Sequence, residues 1–72
     1  MKRQCEGREM VFDFRTGRMM PAAVYYEYVP GRVGYYRAEI QQEPLLPGIF
    51  AWGNTYEEAL HRLQRRLQTR AS

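Results

Sequence analysis

The stretch from Thr55 to Leu67 carries the pattern that most restricts the fold. It reads Thr-Tyr-Glu-Glu-Ala-Leu-His-Arg-Leu-Gln-Arg-Arg-Leu. Thr55 is placed to cap a helix, and Glu58 three residues on completes a capping box. Glu57 and Glu58 fall in the first turn and the arginines come later, the order that the helix dipole favours. Tyr56, Ala59, Leu60, Leu63 and Leu67 recur at helical spacing as one apolar stripe. Glu58 and Arg62 are spaced i, i+4 and add a charge pair along the outer face. The helix is expected to end near Thr69. A helix with a single stripe needs one apolar surface to lie on, and the preceding residues must supply it.

They do so as strands. Ala22 to Val29 is dominated by β-formers, with Val24, Tyr26 and Tyr28 on one face and Ala23, Tyr25, Glu27 and Val29 on the other. The pattern leaves open which of these faces is core. Pro30-Gly31 supplies a turn. Val33 to Ile40 is a second strand, and Tyr36, Ala38 and Ile40 read as core-facing because Arg37 and Glu39 lie opposite. Gln41 to Leu46 is a loop, since Pro44 and Pro47 forbid a central strand there. Ile49-Phe50-Ala51-Trp52 is a short strand closed by Gly53. Upstream, Met10, Phe12 and Phe14 alternate, Arg15 to Arg18 suits a turn, and Met19-Met20 begins a return that Pro21 interrupts. The fold class is α+β: a three- to four-stranded antiparallel sheet with one C-terminal helix packed on one face, in the order (β)-β-β-β-α. The chain reads as a single domain, 1–72, with residues 1–9 flexible, 10–20 an extra strand or hairpin, and 22–69 the core.

Composition narrows the function. A domain of 72 residues buries only about 60% of its unfolded surface. Cys5 has no partner for a disulfide, and Cys5 with His61 is too small a set for zinc. A homodimer or higher oligomer is therefore expected. His61, Asp13 and Ser72 are the only residues of their types, so nucleophilic catalysis lacks a triad. Neither an enzyme, a metal nor a cofactor is expected. No stretch approaches the roughly 20 apolar residues of a membrane helix, and the charged start lacks a secretory pattern. A reducing cytoplasm and no membrane association follow as expectations. Net charge is +3, compatible with nucleic acid or with an acidic protein partner.

Tyr35 to Leu60 read as one piece is more specific. A strand near an alanine is followed by Pro44, Leu46, Pro47 and Gly48 in a Pro-x-Leu-Pro-Gly turn. A short strand follows, then Gly53, Asn54 and Thr55, then Glu57, Glu58, Ala59 and Leu60 opening the helix. This resembles the HicB-like family of small domains, with Asn54 where aspartate is usual. The resemblance implies a partial ribonuclease-H-like fold and an antitoxin role. In that role the domain covers HicA, a small messenger-RNA-cleaving toxin. The chain departs from the family pattern in an N-terminal extension, residues 1–20. The sequence also stops after the helix, which reads as a HicB-like protein without the C-terminal DNA-binding domain and without the strand that usually follows the helix. An open sheet edge is the expected result, filled by the strand at Met10 to Phe14 or by another subunit. The motif residues carry no chemistry and read as scaffold.

Two surfaces are candidates for contact. Tyr25, Tyr35 and Arg37 make an aromatic and basic sheet face, and Arg62, Arg65 and Arg66 a basic helix face. Protein binding is the favoured use, most concretely binding to a small ribonuclease toxin. Nucleic acid stacked on the tyrosines and held by the arginines is the alternative.

Overall fold

The computed structural model describes residues 1–14, 16–41 and 49–69. Four strands precede one helix: β1 Lys2–Asp13, β2 Arg18–Tyr28, β3 Tyr35–Ile40, β4 Phe50–Gly53 and α1 Tyr56–Thr69. The sheet is antiparallel throughout, in the order β1-β2-β3-β4. This is the α+β arrangement expected. The turn residues Pro44, Leu46, Pro47 and Gly48 lie outside the described residues.

Two expectations need correction. Residues 1–9 are not a loose leader: from Lys2 onward they pair with β2, Lys2 opposite Tyr28 and Arg3 opposite Glu27. Their polarity reports that the side chains face water. Pairing is a backbone matter, and the β-rich Ala22–Tyr28 run supplies the template. A register shift between Cys5 and Gly7 makes a bulge that moves the alternation by one residue. Odd residues share the Tyr25 face before it and the Val24 face after it, so no single alternation runs through β1. Pro21 also does not interrupt the return strand. Its carbonyl accepts the Gln41 N–H at 2.8 Å, so its nitrogen, on the same side of β2, faces Gln41, one residue past the end of β3 at Ile40. The missing donor removes a bond at the end of the ladder and none from its middle.

Both hairpin turns follow residue chemistry. Gly17 has φ 72° and Gly31 φ 84°, and the Arg32 N–H donates to the Val29 carbonyl at 2.9 Å. With Pro30 second and Gly31 third, this is a type II turn.

The helix lies on one face. Val11, Met20, Ala22, Val24, Ala38, Ile49 and Ala51 from the sheet side meet Ala59, Leu63 and Leu67 from α1, with Tyr36, Ile40, Tyr56 and Leu60 around them. The core face of β2 is therefore the one bearing Val24, and that of β3 is the expected one. Three of the seven sheet-side residues, Ala22, Ala38 and Ala51, are alanines, which lets the helix sit close. Gly53 serves the same end: a Cβ there would lie 2.5 Å from the Ala59 nitrogen. Its φ is not positive, so the requirement is room rather than backbone freedom. At the helix start Thr55 Oγ1 accepts the Glu58 N–H at 3.1 Å, and Glu58 Oε1 reaches back to the Asn54 N–H at 2.8 Å. The capping box forms with its return bond one residue further upstream than the usual pattern.

Candidate functional site

Among the described residues no helix covers the opposite face of the sheet. On it stand Arg3, Cys5, Arg8, Met10 and Phe12 from β1, Met19, Tyr25 and Glu27 from β2, Tyr35, Arg37 and Glu39 from β3, and Phe50 and Trp52 from β4. Arg3, Arg37, Glu27 and Glu39 pair among themselves, while Arg8 stands further along the face beside Met10 and Pro21. Arg3 Nη2 lies 2.6 Å from Glu39 and its Nε 3.3 Å from Glu27. The Arg3 guanidinium also sits over the Tyr25 ring, 3.6 Å from its centre. Arg37 Nε is 3.2 Å from Glu39, yet its N–H does not aim at the oxygen. The contact is one of charge, and this buried nitrogen makes no hydrogen bond among the described residues. Arg37 stacks instead on Phe50, 4.2 Å from the ring centre. Glu27 is only 6% exposed. The pairing covers it, and burial with the Glu27 charge raises the Tyr35 hydroxyl above the ordinary phenol range.

The aromatic residues are continuous toward β4. Tyr35 meets Trp52 edge-on at 5.9 Å, and Phe50 meets Trp52 at 5.3 Å. Large apolar side chains stay open: Trp52 is 49% exposed, Met10 57%, Met19 53% and Phe14 50%.

The helix arginines stand elsewhere. Arg62, Arg65 and Arg66 line a groove of about 440 Å³ with Ala51 and Trp52, along the outer edge of β4. Arg62 donates from Nη1 to the Trp52 carbonyl at 3.0 Å and is 3.4 Å from Glu58. Arg66 approaches the Phe50 ring at 5.9 Å. The expected contact residues therefore form two clusters. Tyr25, Tyr35 and Arg37 are on the open face, Arg62, Arg65 and Arg66 are at the β4 edge, and Trp52 joins them. Sequence reasoning missed Arg3, because residues 1–9 read as flexible. It also missed Glu27 and Glu39 as a charge cluster, although Arg37 and Glu39, two residues apart in one strand, were readable as sharing a face.

The motif residues Gly53, Asn54, Thr55, Glu57, Glu58 and Ala59 build the β4–α1 junction described above. Among the described residues no three histidine, cysteine, aspartate or glutamate side chains come together as a metal site. No helix among them is long and apolar enough to cross a membrane. Comparison with protein-family models, with curated proteins and with solved structures finds no match.

Proposed function

We propose that the chain is a non-catalytic, HicB-like binding protein that acts in the cytoplasm by docking another protein. The most concrete version is an antitoxin-like partner of a small ribonuclease toxin, with two or more copies associated. One observation carries this reading. The open sheet face keeps Trp52, Met10 and Met19 about half exposed, while Arg3 and Arg37 are paired there with Glu27 and Glu39. Exposed apolar side chains around a paired charge cluster suit burial against protein.

The test is co-purification with the product of an adjacent gene for a small basic protein, together with rescue of growth when that protein is expressed. Wild type is expected to bind and to rescue. Tyr25→Glu combined with Trp52→Ala is expected to do neither while keeping its circular dichroism spectrum. Rescue by that variant, or no binding by wild type, defeats the reading.

A second reading has its own support, since Trp52 stands half exposed beside Arg62, Arg65 and Arg66. A stacked base with its phosphate on the arginines would use that pairing. It requires salt-sensitive RNA binding that Arg65→Glu with Arg66→Glu abolishes. Absence of RNA binding by wild type removes it.

A further inference from the structure

The helix treats the two edges of the sheet differently. At β1 the Gln64 amide meets both main-chain groups of Phe12: the Phe12 N–H donates to Oε1 at 3.0 Å, and Nε2 donates to the Phe12 carbonyl at 2.7 Å. That edge also carries the bulge at Cys5 and Gly7. A bulge and a covered backbone are standard protections against strand addition.

The β4 edge has less protection. The Ile40 N–H donates to the Ile49 carbonyl at 3.3 Å, which makes this a hydrogen-bonded pair. Antiparallel alternation then points the N–H and carbonyl of both Phe50 and Trp52 away from β3. The Arg62 bond to the Trp52 carbonyl agrees with that direction. It covers one of these four groups. The Phe50–Gly53 segment has no proline and no bulge, and β4 pairs only with β3 among the described residues.

The surroundings of this edge are two-sided. On the helix side Arg62, Arg65 and Arg66 form the groove wall. Of these, Arg62 is partly balanced by Glu58. On the other side Phe50 and Trp52 continue the aromatic row. A strand laid along β4 would turn alternate side chains to these two sides. Those over the groove would meet guanidinium groups, and those over the open face would meet aromatic rings. A second copy adding through its own β4 would bring six of these arginines together, which like-charge repulsion opposes.

We infer that the β4 edge accepts an extended segment of the partner protein in which acidic and apolar residues alternate. The segment adds as a fifth strand with its carboxylates on Arg65 and Arg66. The inference rests on the protein-binding reading above and names the chemistry of one contact.

The probe is an alternating glutamate–valine hexapeptide, with the same residues sorted into two blocks as its control and an oligouridylate as competitor. All are titrated into the full chain and followed by amide NMR. The alternating peptide is expected to shift the Phe50 and Trp52 amides and to slow their exchange with water. Arg65→Glu with Arg66→Glu, both exposed and so compatible with folding, is expected to weaken it about tenfold. Equal binding of the block peptide, unprotected Phe50 and Trp52 amides, or displacement by oligouridylate overturns the inference. Partner capture separates the two levels. If the open-face variant loses the partner and the arginine variant keeps it, the edge contact falls and the protein-binding reading stands. If wild type captures no partner, that reading falls, whatever the peptide does.

Discussion

The two faces of the sheet are built from different materials. Beneath the helix lie small and aliphatic side chains: Ala22, Val24, Ala38 and Ala51 against Ala59, Leu63 and Leu67, nearly all fully buried. Opposite lie Tyr25, Tyr35, Phe50 and Trp52, interleaved with Arg3, Arg37, Glu27 and Glu39. Small residues allow close approach and leave little free surface. Rings capped by guanidinium groups stay in place without being hidden. One face is occupied by the chain itself, and the other is held in shape while remaining accessible. Stability and binding should therefore separate by face, and substitutions can break that separation.

The largest effect is expected under the helix. Leu63 is fully buried, and Leu63→Ala should cost about 2–5 kcal/mol from lost burial and the cavity left behind. Chemical denaturation would show this as a large fall in midpoint, or as loss of the folded state in so small a domain. A change under 1 kcal/mol would mean that the helix is not the principal source of stability. Next is Gly53→Ala, where the added methyl meets the Ala59 nitrogen. The helix must move off β4, at about 1–3 kcal/mol, and an unchanged midpoint would show that the junction has slack.

The order of elements was legible because it rests on local chemistry: a capping box, one stripe of Tyr56, Ala59, Leu60, Leu63 and Leu67, and a Pro30-Gly31 turn. Arg3 was not legible. Its partners Glu27 and Glu39 are 24 and 36 positions away in the sequence, and the bulge at Cys5 and Gly7 erased the alternation that would have placed it. Trp52 could be put on a strand, but the arginines beside it belong to a helix whose rotation over the sheet depends on packing. The face of β2 was undecidable for a similar reason. Val24 and Tyr25 are equally good strand residues, and only the position of the helix distinguishes them.

Smaller effects test the margins of the comparison. Gln64→Ala removes both hydrogen bonds to the Phe12 backbone, at about 1–2 kcal/mol. It also exposes the β1 edge, so concentration-dependent association should rise by light scattering. On the open face Trp52→Ala should change the denaturation midpoint little, by about 0.5–1 kcal/mol. Partner binding should fall much more. A loss of stability matching that of Leu63→Ala would erase the distinction between the faces.

The smallest effect lies where the helix meets β1. The Tyr56 hydroxyl donates to Glu9 Oε2 at 2.6 Å, beside Gly7, where any Cβ would strike it. Holding its proton against that carboxylate, with some desolvation, pushes Tyr56 up to about 12 from its ordinary 10.0. The folded state thus keeps the proton more tightly than the unfolded chain does. The sign follows: the contribution is fully present below about pH 10 and disappears as the pH rises toward 12. Wild type should therefore exceed Tyr56→Phe in stability by a constant margin up to about pH 10, and the margin should close above it. Denaturation series at several pH values measure this difference directly, and a margin that stays constant to pH 12 would show that the Glu9 bond does not hold the helix start to β1 in solution.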